Sequence, residues 1–468
     1  MKLLNLAACI TAASLLAACG SDSDNDFSPT DAQQKLLNTN ADIAYATYTD
    51  SVETAKLLQE ALIAFKGDPS AANLTAAKKA WLVSREPYGQ SEVYRFRESP
   101  IEAVEGDLNA WPLGEALIDY VATNDTDFTA DQVGVTANSA GINADGIVDG
   151  SIATQNIIGE TDVIINNALL ANTASADDEH DVIAGYHAIE FLLWGQDLNT
   201  TTQATTDGTD RDDAVNATSA GGQRPLSDFV SATANDTAAR RHQFLEVAVD
   251  KLISDLEQVQ AGWKDGVADN YRAQFTTITS DTDFNQKLTE ILTGMGTLSE
   301  GELAGERMQI AFASNSQEDE HSCFSDNTHR DIWLDAEGVS NSFYGSYAGY
   351  DSTLNGTDDV TTNAIDGYGL DDYLTEVGLD SLVASAKDAL ELTEINYTEI
   401  DTMARAGSPF DVQIMAANRT AQSPVAKTII SLEAQARAIQ DIATELNLGD
   451  VVEDDASECE TTTPDVEC

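Results

Sequence analysis

Apolar residues recur at helical spacing through long Ala-, Leu- and Glu-rich stretches, at 32–65, 74–97, 160–171, 181–194, 238–263, 285–313 and 374–446. Strand-like alternation bounded by turn residues is scarce, so the pattern predicts an all-α chain. Between these stretches lie tracts rich in Asp, Thr, Asn, Ala and Gly, at 123–150, 199–222 and 352–369, which read as surface loops. At 468 residues with 42% hydrophobic content the chain is long enough for two or three packed cores. Asp and Glu number 80 against 24 Lys and Arg, a formal charge of −56, which argues against nucleic acid and against adsorption to anionic lipid heads.

The N-terminus predicts location. Lys2 precedes an apolar run from Leu3 to Ala18, and Leu16-Ala17-Ala18-Cys19-Gly20 has the form of a bacterial lipoprotein cleavage site with Cys19 acylated. The run is shorter than a comfortable membrane span. With Asp22 too far from Cys19 for inner-membrane retention, the expectation is an outer-membrane lipoprotein facing the periplasm. Of the remaining cysteines, Cys459 and Cys468 could close a loop in the acidic tail, which leaves Cys323 odd. No zinc-knuckle or redox CxxC spacing occurs.

The densest chemical signal is Gly185-Tyr186-His187-Ala188-Ile189-Glu190-Phe191-Leu192-Leu193-Trp194-Gly195. Residues at i and i+3 share a helix face, so the His187 imidazole and the Glu190 carboxylate can converge on one point. Such an N/O pair suits a first-row transition metal; the alternative is a buried polar pair with a structural role. Glu92 lies among Tyr, Val and Phe, where a carboxylate needs a positive partner or a metal. Arg85 and Arg95 read as helix-to-helix polar contacts. A third cluster, 316–331, holds His321, Asp326 and His329, which have ligand chemistry but equally suit a turn-and-cap network before a helix at Arg330.

Gly185-Tyr186-His187-Ala188-Ile189-Glu190, Glu92-Val93-Tyr94-Arg95-Phe96, Asn109-Ala110-Trp111-Pro112 and the stretch from Glu318 to His329 together resemble the imelysin family, and within it the iron-regulated protein A branch. The likeness runs from about Asp42 to Leu446, and Gly-x-His-x-x-Glu is met in full by Gly185, His187 and Glu190. It implies two helical domains, each a variant of a four-helix bundle, with a site near their interface. The resulting division is a signal peptide at 1–18, a tether at 19–33, helical domains at 34–265 and 266–450, and an acidic tail at 451–468. The resemblance implies iron acquisition, with iron or an iron-bearing ligand bound and an iron-transport partner in the membrane. His187, Glu190 and Glu92 are then the expected metal ligands, and His321, Asp326 and His329 an additional set.

The family also carries a metallopeptidase assignment, with zinc as the alternative metal. A zinc peptidase of the common type needs His-Glu-x-x-His or His-x-x-Glu-His, and here position 188 is Ala and position 191 is Phe. One histidine and one carboxylate fall short of three ligands plus a separate base. No catalytic residue is therefore assigned, and binding ranks above hydrolysis.

Overall fold

A computed structural model describes residues 27–109, 111, 113–120, 141–143, 146–148, 156–171, 182–197, 221–315, 317, 319–415 and 418–452. The expected signal peptide, Cys19, most of the expected tether, Glu318, Cys459, Cys468 and nearly all of the acidic tail lie outside the described residues.

The described chain is mostly helical. Long helices run at Asp31–Gly67, Ala71–Gly89, Thr237–Trp263, Asp281–Thr297, Thr328–Tyr344, Asp380–Arg405 and Pro424–Glu445. Several begin on an N-cap side chain that accepts an otherwise unpaired backbone N–H: Thr30, Ser70, Asp236, Ser280 and Ser423. At Thr30 a full capping box forms, with Gln33 N–H donating to Thr30 Oγ1 at 3.2 Å and Thr30 N–H to Gln33 Oε1 at 2.9 Å.

Two helical groupings emerge from the packing. Asp31–Gly67 packs on Ala71–Gly89 and on Thr237–Trp263, while Pro424–Glu445 packs on Asp380–Arg405, on Asp281–Thr297 and on the π-helical turn that follows it. One apolar cluster joins Leu37, Trp81, Phe191 and Trp263 to Met295, Phe343 and Ile442; a second gathers Leu303, Phe312, Ile332, Ile400 and Leu432. No helix among the described residues is long and apolar enough to cross a membrane.

The structure departs from the sequence reading in four places. The 374–446 stretch is not one helix: it breaks into Leu370–Glu376, Asp380–Arg405, Phe410–Ile414 and Pro424–Glu445. Gly378 and Gly407 lie in the left-handed region, at φ 86° and 97°, and Pro409 and Pro424 start new segments. In 160–171 only Asn167–Leu170 is helical, the rest being turns. The helix through Arg85 ends at Gly89, two residues after Pro87, and Glu92–Tyr94 forms a 3-10 turn. The chain is also not purely helical.

The tract at 352–369, read as a surface loop, contains the strand Asp359–Asp366, antiparallel to Ser346–Tyr350. What overrides the turn-rich composition is a buried carboxylate: Asp50, on the first helix, accepts from Tyr347 Oη at 2.8 Å, Thr361 Oγ1 at 3.0 Å and Asn363 Nδ2 at 2.5 Å. A further short hairpin pairs Gly141–Asn143 with Gly146–Val148 inside the tract 123–150.

Candidate functional site

The motif helix, Gly185–Trp194, is buried along its whole length. Gly185 sits at φ 81°, and a Cβ there would come within 2.3 Å of the Leu108 carbonyl oxygen, so the first motif position admits only glycine. Trp81 Nε1 donates to the Tyr186 carbonyl at 2.9 Å and fixes the N-terminal turn. His187 and Glu190 then meet as their spacing requires, with His187 Nδ1 2.9 Å from Glu190 Oε2 and neither side chain exposed. The other oxygen of Glu190 accepts from Ser325 N–H at 2.9 Å and Ser325 Oγ–H at 2.6 Å.

Both Glu190 oxygens are thus engaged within the protein, whereas His187 Nε2 is buried without a hydrogen-bond partner. Burial, helped by the charges of His321 and Arg85, holds the His187 imidazole well below its ordinary pKa. Burial also lifts the Glu190 carboxyl well above its own, against the pull of Ser325. Both shifts favour the uncharged forms, so the contact is a buried hydrogen bond and not a separated ion pair. A carboxylate that orients one imidazole nitrogen and leaves the other bare is the usual arrangement around metal-ligating histidines.

A second pair of the same form stands beside the first. The His321 ring lies edge-on to His187 at 4.6 Å between centroids, and Trp111 contacts both, at 5.0 and 6.3 Å. His321 Nδ1 is 2.9 Å from Asp331 Oδ2, which also accepts from Ser322 Oγ. Arg85 donates to Asp331 Oδ1 through Nε at 3.3 Å and Nη2 at 3.1 Å. Burial alone would raise Asp331, but Arg85, His321 and Ser322 outweigh it and hold the carboxyl far below the usual range. Burial, followed by the charge of Arg307, drives His321 down to about 4.

Glu92 joins a different part of this interior. Its Oε1 accepts from Asn109 Nδ2 at 3.1 Å, Asn109 Oδ1 accepts in turn from Arg85, and its Oε2 lies 3.3 Å from Arg307 Nη2. The positive partner expected for Glu92 is therefore Arg307, which also pairs with Asp335 at 2.6 Å and through Nε with Glu302 at 2.7 Å. Glu302 and Arg307 both belong to Leu298–Gln309, a π-helical segment inside an otherwise α-helical rod. The wider turn is a frequent mark of functional sites. Burial would raise Glu302, yet Arg307 and Arg95 hold it at about 2.

The three residues of the additional set point to three separate partners. His321 faces Asp331 and His187. His329 has Nδ1 3.0 Å from the Asp326 carbonyl and Nε2 3.6 Å from Asp401 Oδ1. Asp326, at φ 60°, meets Asp197 and Asp411, and one carboxylate oxygen from each of the three lies within 4.8 Å of the others, a buried acidic triad able to hold a metal ion. Among the described residues this is the group in which three such ligand atoms gather so closely.

The sequence reading missed Asp331, Ser325 and Arg307 as site residues and left Asp197 and Asp411 unmentioned. Asp331 ended the flagged 316–331 cluster; His321 and Ser322 meet it from within that cluster, and Arg85 from a distant helix. Cys323 is buried within this cluster and forms no disulfide among the described residues.

Comparison with known proteins gives a consistent result. The sequence model of the imelysin family matches residues 44–444. Iron-regulated protein A of Synechococcus elongatus is 30% identical over 112 residues, a stretch that spans 22% of this chain and 28% of that protein's length. A crystal structure assigned to an iron-regulated protein A precursor of Parabacteroides distasonis superposes with a TM-score of 0.55 at 15% identity, over 90% of this chain and 96% of that one, a likeness of fold.

Proposed function

The chain belongs to the imelysin family, and from that premise we propose that it is a cell-envelope lipoprotein that binds iron, or an iron-bearing ligand, for uptake. The observation that carries the reading is the bare, buried Nε2 of His187, whose Nδ1 is held by Glu190. With His321 held the same way by Asp331, two neighbouring imidazoles have their orientation fixed by carboxylates. Imidazole nitrogen suits ferrous iron and zinc alike, and the relationship to an iron-regulated protein favours iron. In this reading His187 and His321 are the ligating groups, Glu190 and Asp331 orient them, and Glu92 anchors Arg307. Cys19 would tether the protein to the outer membrane, facing the periplasm, near a membrane partner for transport.

Isothermal titration with ferrous iron, under anaerobic conditions, tests the site. His187→Ala should abolish binding, Glu190→Gln should weaken it about 10- to 100-fold, and Asp326→Asn, which disrupts the acidic triad, should leave it intact. Equal affinity in the wild type and His187→Ala would overturn the reading; loss in Asp326→Asn alone would move the ion to the triad. Lipid labelling tests location: Cys19→Ser should accumulate unlabelled precursor.

A second reading has its own support. His187 and Glu190 are wholly buried and bonded to each other and to Ser325, as a polar pair that fixes two segments together would be. Under it His187→Ala would lower the melting temperature without any metal-dependent difference.

A further inference from the structure

Among the described residues, one cavity reaches the edge of the proposed site. His187 is sealed from solvent, but His321 lines a cavity of about 120 Å³ whose walls also include Trp111, Glu302, Glu306, Arg307 and Asp319. Trp111 stands between this cavity and the motif: its ring contacts His187, His321 and Phe324 at 5.0, 6.3 and 5.7 Å. A ligand in this cavity would meet His321 directly and His187 past that indole.

Size and charge restrict what can come. Sites for drug-sized ligands run from about 300 to 1,000 Å³, and a water molecule occupies roughly 30 Å³. A space of about 120 Å³ suits a metal ion with part of its hydration shell and is smaller than a tetrapyrrole or a multidentate chelate fills. The walls carry more carboxylate than guanidinium. Arg307 is spent on Glu302, Glu92 and Asp335, and Arg95 on Glu302 and Glu105. Glu306 and Asp319 add negative charge at the same wall, so the potential there attracts a cation and repels anionic chelates.

We infer that this cavity is the loading port of the histidine pair and that its ligand is a small hydrated divalent cation, with haem and ferric chelates excluded. The inference rests on the reading of His187 and His321 as ligating groups and narrows it. Glu306 and Asp319 act on the rate of entry, His321 and His187 on retention, and Trp111 reports on occupancy because its ring touches both histidines.

The experiment is stopped-flow tryptophan fluorescence of the purified protein mixed with ferrous iron under anaerobic conditions. Parallel mixes contain manganese(II), ferric citrate, or haemin followed by its Soret absorbance. Ferrous iron and manganese should quench saturably, with the quench lost in Trp111→Phe and His187→Ala; ferric citrate and haemin should give no His187-dependent change. Glu306→Gln combined with Asp319→Asn should slow association on the order of tenfold while circular-dichroism melting stays unchanged. Binding of haemin or ferric citrate that disappears in His187→Ala would overturn the port's selectivity and leave the two-histidine site standing. An unchanged association rate in the double variant would overturn the route. Binding of none of the four probes would remove both the inference and the reading beneath it.

Discussion

Two carboxylates a short way apart along the chain, the buried Asp331 and the half-buried Asp358, leave the usual carboxylate range in opposite directions. Asp331 accepts from a guanidinium, an imidazole and a hydroxyl, from Arg85, His321 and Ser322, and stays ionised far below the usual range. Asp358, in the loop that joins the two strands of the hairpin, has the Gln90 amide at 3.3 Å and the carboxyls of Glu337 and Glu86 as neighbours. It is pushed up to about 8, by burial first and those charges next. Arg330, the nearest guanidinium, is taken bidentately by Glu86 at 3.0 and 2.7 Å. Low exposure is common to both regions. What separates them is the number of donors each carboxylate receives, and this decides which one holds a charge and which a proton.

The widest expected gap comes from removing Asp331. Asp331→Ala leaves the Arg85 guanidinium, 1% exposed, without its opposite charge, at a cost of about 3–5 kcal/mol. Urea denaturation should register it as a lowered midpoint with an unchanged slope. A loss below about 1 kcal/mol would show that Asn109 and the surrounding aromatic rings suffice for Arg85, and the contrast between the regions would collapse.

Glu190→Ala should cost less, about 2–3 kcal/mol, because the groups it strands, His187 Nδ1 and the two donors of Ser325, carry no fixed charge. The order of the two variants in one denaturation series is the measurement. If Glu190→Ala proved the more damaging, the hydrogen-bonded pair rather than the guanidinium network would be the stability centre of the site.

The motif pair was legible in the sequence because its geometry is local. Spacing of three on an apolar helix brings His187 to Glu190 whatever surrounds it, and the same periodicity gave Asp31–Gly67, Gly185–Trp194 and Thr237–Trp263 to within a few residues. Glu92 was legible by type: a carboxylate among aromatics needed a cation. Its identity, Arg307, was not, since a tertiary contact leaves no mark on spacing. The same holds for His321 beside His187 and for Asp326 beside Asp197 and Asp411. The hairpin escaped notice because Asp50, which recruits Tyr347, Thr361 and Asn363, lies on a distant helix. A run of Thr, Asn and Asp reads as loop until that acceptor is known.

The hairpin seat should betray its excess of carboxylate through pH. Glu337 sits at about 7, raised by burial despite Arg330, and Asp358 at about 8. In the unfolded chain both titrate near 4, so between pH 5 and 8 the folded state binds more protons. Their stabilising contribution is therefore complete below about pH 4 and is lost as pH rises through 7 to 8. Between pH 6 and 8 the loss should be a few kcal/mol at most, about 1 from Glu337 and about 2 from Asp358, and Glu337→Gln should flatten it. An identical pH profile in that variant would mean that Glu337 is ionised throughout, and the seat would then resemble the Asp331 region after all.

The smallest effect belongs to charges that share neither environment. Lys56 and Glu257 form an ion pair at 2.6 Å between the Asp31–Gly67 and Thr237–Trp263 helices, with half of each side chain exposed. By distance alone it is closer than Arg85 to Asp331, at 3.1 Å. Solvent screens the pair, and both long side chains lose rotamer freedom to hold it, so Lys56→Ala should change stability by only about 0.2–1 kcal/mol. Added salt should shrink that difference further, whereas the cost of Asp331→Ala should barely respond, because the buried pair lies beyond the reach of mobile ions. Measuring both variants at 0.05 and 0.5 M sodium chloride separates the two cases. A salt-insensitive, multi-kilocalorie loss at Lys56 would make separation between charges, and not the supply of donors in a water-free interior, the quantity that governs ionic stability in this protein.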